Sequence, residues 1–279
     1  MQTVSLTWQH AGEVAGALAV VSVGMRAVRQ RYARMFAPFV FEAAIIGALY
    51  AMWQLAGKLS VLGTTGALAR ARWIDHFDDD LPLPSEQTLN HAIVGHRLIA
   101  QAANLYYDTM HFTMMFVFLI WLFWRYRDRY SPVRTTMAWT TFFCLVIQLL
   151  PVAPPRMLPG FIDTAMLYNQ SVYSNGLAAD QLSAMPSVHV AWAFVIGYYV
   201  ATISTSRWRW IGPAHAVLTT LVVVTTANHW WLDGIVAVAV LIACAWGRYG
   251  IVTAWQHLAP RLGRAIGATR QPVAETSDV

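Results

Sequence analysis

Ala184-Met185-Pro186-Ser187-Val188-His189-Val190-Ala191-Trp192 opens one apolar run of this chain, and Asn228-His229-Trp230-Trp231-Leu232-Asp233-Gly234 opens another. Each stretch places hydroxyl or ionisable groups where a hydrophobic segment begins. Such groups are costly beside hydrocarbon, so finding them there points to a function. Reading both runs as membrane-crossing helices decides the fold class and asks that the two polar openings lie on one side of the bilayer.

The rest of the composition agrees. Of 279 residues, 57% are hydrophobic and 12% charged, and the mean hydropathy is +0.45. A soluble domain carries about 25% charged residues, so the expectation is an all-α, polytopic integral membrane bundle. The net charge of +5 comes from arginines in short clusters between apolar runs. That pattern carries topology information and argues against a nucleic-acid partner, since no basic stripe with interleaved aromatics is present. Cys144 and Cys244 fall within apolar segments without Cys or His at metal-ligand spacing, and read as reduced packing residues. The N-terminus has Glu13 and no basic region before its apolar stretch, unlike a cleaved signal peptide.

Along the chain, Ala11 to Met25 reads as a short span or an interfacial helix, followed by the basic flank Arg26, Arg29, Arg31 and Arg34. Ala37 to Gly57 is a span in which Glu42 needs a polar neighbour. Lys58 to Ala103 is less hydrophobic. It holds Asp75, Asp78, Asp79 and Asp80, then Leu81-Pro82-Leu83-Pro84, and a helix start at Ser85 that carries half a capping box, and it reads as a loop bearing surface helices. Further spans run from Leu105 to Trp124, Thr135 to Leu150, Pro186 to Ile203, Ile211 to Ala227 and Leu232 to Trp246. A tail beyond Gln271 reads as disordered. The total is about six spans, with the N-terminal segment as an addition. Alternating them places the arginine clusters after Met25, Trp124, Ile203 and Trp246 on one side, the cytoplasm. The acidic loop, Pro155-Arg156, the Pro186 helix start and the His229 turn then share the extracytoplasmic face.

His229 and Asp233 stand four residues apart, so on a helix they share a face. A carboxylate there holds one imidazole N–H and leaves the other nitrogen as a nucleophile. The plainer alternative is a polar pair that satisfies itself at the membrane surface. Ser187 and His189 sit at a helix start, whose free amides and dipole attract anions; a helix cap with a headgroup-level histidine is the plainer alternative. Arg156, in a Pro-rich loop, has the fork geometry that suits phosphate oxygens, or is a snorkelling arginine. Trp192, Trp230 and Trp231 read as interfacial belt residues.

These motifs resemble a known family. Pro186-Ser187-Val188-His189 is similar to the Pro-Ser-x-His motif, and His229-x-x-x-Asp233 to the His-x-x-x-Asp motif, of the type 2 phosphatidic acid phosphatase superfamily. Its relatives include lipid phosphate phosphatases, undecaprenyl pyrophosphate phosphatases and vanadium haloperoxidases. The wider pattern, Ala153-Pro154-Pro155-Arg156 with Ala184 to His189, more closely resembles the inositol phosphorylceramide synthase branch, and the likeness spans about Tyr107 to Gly234. The resemblance implies that His229 attacks phosphorus to give a phosphohistidine, that Asp233 orients it, and that His189 protonates the leaving oxygen and then deprotonates the acceptor. Ser187 and Arg156 would hold the phosphoryl oxygens, without a metal or cofactor. Two cations of the broad phosphatase pattern are absent, at Val223 and Leu149. Asn228, and Tyr107, Asp108 and His111 at the outer start of the Leu105 span, are candidate compensating or headgroup-binding residues; for His111, core packing at a bundle interface is the plainer alternative.

The expected protein is a lipid-phosphate phosphatase or phospho-headgroup transferase of a bacterial plasma membrane, with a lipid phosphate or phospholipid as substrate. Its organisation is an N-terminal helix and flank over 1–36, a transmembrane domain over 37–249 with an extracytoplasmic loop region at 58–104, and a cytoplasmic tail over 250–279. A transporter for a phosphorylated lipid and a structural scaffold are the readings from other classes. Against transport, the polar groups gather at one face and no inverted repeat is evident.

Overall fold

In a computed structural model describing residues 7–62, 66–170 and 181–268, the chain is all-α. Its α-helices are α1 (Trp8–Ala27), α2 (Arg31–Leu62), α3 (Ala67–Asp79), α4 (Glu86–Val94), α5 (Arg97–Arg125), α6 (Arg127–Ile147), α7 (Thr164–Leu167), α8 (Val188–Ile203), α9 (Ile211–Thr225) and α10 (Trp231–Ala268). Two compact units divide it: Met1–Leu241, which carries all the candidate site residues, and Ile242–Val279, which holds the later part of α10. The tail beyond Gln271 and part of the loop before Met185 lie outside the described residues.

Among the described residues three helices are long and apolar enough to cross a membrane, at Arg31–Lys58, Arg97–Arg125 and Trp231–Gly250. The other expected spans are helical but differ in length or charge. With 16 residues, α8 is about 24 Å long and α9, with 15, about 22 Å, against a hydrocarbon core of about 30 Å. α6 begins earlier than its apolar stretch, at Arg127, and takes Asp128, Arg129 and Arg134 into the helix. α5 likewise starts at Arg97, because Ala100 and Asn104 bury one face of the preceding turns.

Small residues let helices touch closely. The Ser22 hydroxyl of α1 donates to the Ala37 carbonyl of α2 at 2.8 Å. A side chain on Gly212 of α9 would bring its Cβ to 2.8 Å from Val200 Cβ of α8, so only glycine permits this approach. Glu42 finds the polar neighbour that its place in an apolar run demands, with Oε1 2.8 Å from Arg134 Nη2 of α6.

Around the ends of these helices, α3 and α4 clamp the proline-rich segment after α6. Arg70 Nε donates to the Pro151 carbonyl at 2.6 Å. Val152 N–H donates to the Leu182 carbonyl at 2.8 Å, within a parallel bridge between Val152 and Ser183. Asn90 of α4, fully buried, donates to the carbonyls of Ile162 at 3.1 Å and Thr225 at 2.9 Å, and accepts from Ile162 N–H at 2.9 Å. Ser85 caps α4 as its sequence suggests, accepting from Thr88 N–H at 3.5 Å.

Trp230 closes this layer. It is 1% exposed, donates its indole N–H to the Ala153 carbonyl at 3.0 Å, and meets the Phe161 ring edge-on with centroids 5.6 Å apart. Trp230→Ala is expected to destabilise the protein by about 3–5 kcal/mol, and Trp230→Phe by about 1–3 kcal/mol through the orphaned carbonyl. Denaturant titration in detergent micelles measures both.

Candidate functional site

The site begins where α9 ends. Ala227 adopts a left-handed conformation, φ 55°, which turns the chain so that the amides of Asn228 and His229 both donate to the Val223 carbonyl, at 3.0 and 3.1 Å. This is the way a helix C-terminus satisfies its last carbonyls. It leaves His229 before α10 instead of within it, and the expected shared helical face becomes a turn.

His229 Nδ1 lies 2.8 Å from the Ala184 carbonyl oxygen and 3.3 Å from Asp233 Oδ2. A carbonyl can only accept, so Nδ1 carries a proton, and in the neutral ring the lone pair falls to Nε2. Nε2 is buried and has no hydrogen-bond partner among the described residues. Asp233, fully buried, also accepts the Trp230 N–H at 2.9 Å through Oδ2. Its backbone carbonyl accepts the Ser187 N–H at 3.2 Å, which joins the two polar stretches directly.

Ser187 is the N-cap of α8, its hydroxyl oxygen accepting from Val190 N–H at 3.3 Å. The helix therefore starts two residues after Pro186. Gln148 steadies this entry by donating to the Pro186 carbonyl at 2.9 Å. His189, in the first turn of α8, has its ring centroid 5.5 Å from that of His229. Tyr107 of α5 stacks on His189 at 4.4 Å and 22° and lies 6.3 Å from the His229 ring, and the His111 ring is 4.3 Å from that of His189. Thus α5 supplies two of its three expected residues to the histidine pair. Asp108 is half-buried and forms no hydrogen bond or ion pair among the described residues.

Arg156 extends from a 3-10 turn, Pro155–Met157. Its Nη1 donates to Asn228 Oδ1 at 2.5 Å, its Nε is 3.5 Å from Asp163 Oδ2, and its N–H donates to the Ala227 carbonyl at 3.0 Å. Asn228 in turn donates to the Thr226 hydroxyl at 2.8 Å. The guanidinium is therefore held one residue from the His229 backbone. Among the described residues no group of three or more His, Cys, Asp or Glu is placed to hold a metal ion.

Sequence reading missed the Ala184 carbonyl and two acids. Glu86 Oε1 accepts the Trp231 N–H at 3.2 Å, and Asp78 Oδ2 accepts the Leu232 N–H at 3.3 Å. Burial pushes the Asp78 carboxyl up to about 8, with the Glu86 hydrogen bond and charge and the Asp233 charge acting the same way against the Leu232 amide. Asp75 is also raised, by burial and then by Asp79 and Glu86. No spacing joins Asp78 to Glu86 across the prolines between them; the one local signal is that Glu86 follows an N-cap. The tryptophans also differ from a lipid-facing belt. Trp192 and Trp230 are buried; Trp192 donates to the Thr141 hydroxyl at 2.8 Å, and the Trp231 indole donates to the Pro84 carbonyl at 2.8 Å. Their indole N–H groups satisfy the protein interior and the loop.

A family model described as the PAP2 superfamily matches residues 72–247, a stretch that takes in Asp78, Tyr107, Arg156, both histidine motifs and Asp233. No curated protein and no solved structure matches the chain.

Because the Ala184 carbonyl dictates the tautomer, nitrogen NMR of selectively labelled histidine at alkaline pH is expected to find the His229 proton on Nδ1. A proton on Nε2 would contradict this geometry.

Proposed function

The chain belongs to the PAP2 superfamily, and from that premise we propose that it transfers the phosphoryl or phospho-headgroup unit of a membrane lipid through a phosphohistidine. Lipid-phosphatase and phosphotransferase chemistry at a membrane-associated helical domain is the character of the family.

His229 Nε2 attacks phosphorus and the bond to the leaving oxygen breaks, while His189 gives that oxygen a proton. His189 then takes the proton of water or of an alcohol, whose oxygen attacks the phosphohistidine and releases Nε2. The Nδ1 proton, held by Ala184 and Asp233, orients the ring throughout. Arg156, Ser187 and Asn228 face the phosphoryl oxygens, and fixed donors of this kind stabilise developing charge without reorganising. Tyr107 and His111 border the headgroup, with Asp108 beyond them. The observation that carries the reading is an imidazole with one nitrogen held and the other, Nε2, buried and without a hydrogen-bond partner among the described residues, with a second histidine ring 5.5 Å away.

The six-span arrangement and its orientation belong to the same proposal. Arg125 closes α5 about five turns and 27 Å beyond Tyr107, and Arg207 follows α8 at the end remote from His189. This separation of basic ends from the site supports a cytoplasmic basic face and an extracytoplasmic site in the plasma membrane of a bacterium. The transmembrane domain is 37–249, with the loop region 58–104 outside, and 1–36 and 250–279 as N-terminal helix and cytoplasmic tail. The substrate is a lipid phosphate or phospholipid, and the acceptor in the transferase case is a polyol of the inositol kind.

His229→Ala is expected to abolish turnover and the phosphoenzyme label left by a radiolabelled lipid phosphate. His189→Ala is expected to lower the rate by about 10²–10⁴-fold. Full turnover by either variant, correctly inserted, would sink the proposal. Counterflow in proteoliposomes without product formation would replace it with transport, and product analysis with and without inositol separates hydrolysis from transfer.

A further inference from the structure

The start of α10 is held by acids from three elements. A helix start leaves N–H groups without intrahelical acceptors, and one capping side chain normally serves them. Here the Trp230 N–H goes to Asp233 at 2.9 Å, the Trp231 N–H to Glu86 of α4 at 3.2 Å, and the Leu232 N–H to Asp78 of α3 at 3.3 Å. Asp78 and Glu86 are each 3% exposed and Asp233 fully buried.

Three ionised carboxylates would exceed the positive end of a helix, equivalent to roughly half an elementary charge. The geometry shows how the excess is relieved. Asp78 Oδ1 is buried and meets no N–H or O–H donor among the described residues. Glu86 Oε1 and Asp78 Oδ2 accept the adjacent amides of Trp231 and Leu232, which brings the two carboxyls side by side, close enough to act on each other. Two carboxyl oxygens satisfy each other only with a proton between them. That proton leaves each acid one oxygen for an amide of α10.

We propose that Asp78 and Glu86 are positioning residues, a proton-sharing pair that clamps the first amides of α10 and thereby holds Asp233 and His229 in register with Ala184 and Ser187. This rests on the phosphohistidine reading, for which the register of His229 is what matters. Facing the pair are Asp75, which interacts with Glu86, and Asp233, which interacts with both acids; behind them His76 and Asp79 act on Asp75, and His229 acts on Asp233. The acids outnumber the cations, so losing the shared proton adds a negative charge that they repel.

The sign of the pH effect follows. Asp78 keeps its proton in the folded protein up to about 8 and loses it near 4 in an unfolded chain. The folded state therefore binds more protons between those values, and stability falls as pH rises through about 8.

The test uses the full chain in detergent, with melting midpoint and lipid-phosphate hydrolysis followed from pH 6 to 9.5. Asp78→Asn supplies an N–H to Glu86 and an oxygen to the Leu232 amide without a titrating proton. It is expected to keep neutral-pH turnover within about threefold and to lose the fall in melting midpoint and rate that the unaltered protein shows above pH 8. Asp78→Ala and Glu86→Ala are expected to lower kcat by about 10–100-fold with KM little changed, since orphaned amides displace the nucleophile and not the substrate. An alkaline fall persisting unchanged in Asp78→Asn, or an alanine variant that alters KM alone, would overturn the proposal. Should the alanine variants fail to fold, the asparagine comparison still decides. If the unaltered protein turns over no lipid phosphate, the phosphohistidine reading fails by itself and the melting curves judge the acid pair.

Discussion

Two hydrogen bonds of opposite sense tie the polar openings of α8 and α10 to each other, His229 Nδ1–H to the Ala184 carbonyl and Ser187 N–H to the Asp233 carbonyl. Both lie within buried structure, where a lost partner costs more than an average hydrogen bond contributes. A shift of either segment along its axis breaks both at once. The separation of the two histidine rings, the direction of the free imidazole nitrogen and the place of the Ser187 cap all follow from this reciprocal link.

The link is rigid because the segments beside it have their own anchors. The chain after α6 is pinned by Arg70, by the Val152 bridge and by the Trp230 indole. Asn90 spends both its amide hydrogens and its oxygen on the loop around Ile162 and the end of α9. Side chains outside the candidate spans thus position groups at the mouths of the apolar helices, the arrangement by which a site gains precision from supports that never touch a ligand.

Charge is distributed unevenly around the site. Acids hold the start of α10, while Arg156 pairs with Asn228, the residue before His229, and with Asp163. Where the broad phosphatase pattern has two more cations, this chain has Leu149, which is exposed, and Val223, which is buried. The Val223 carbonyl instead receives the amides that set the His229 turn. In the proposed reading, the site relies on one guanidinium, neutral donors and a fixed imidazole tautomer to hold a phosphoryl group.

Much of this was legible in the sequence. Apolar runs separated by arginines fixed the all-α class and the approximate helices, because hydrophobic length and charge are local properties of a chain. The Ser187 and Ser85 caps were legible for the same reason, and the His229 and Asp233 spacing announced a pair. Only the tertiary structure decided that the Ala184 carbonyl holds the imidazole more closely than Asp233 does, that Trp192 and Trp230 turn inward, that Tyr107 and His111 reach His189 while Asp108 does not, and that Asp78 and Glu86 close on α10. Those contacts join residues distant in the chain, several through backbone atoms that every residue type carries, and no side-chain pattern encodes which carbonyl or amide a fold will bring within 3 Å.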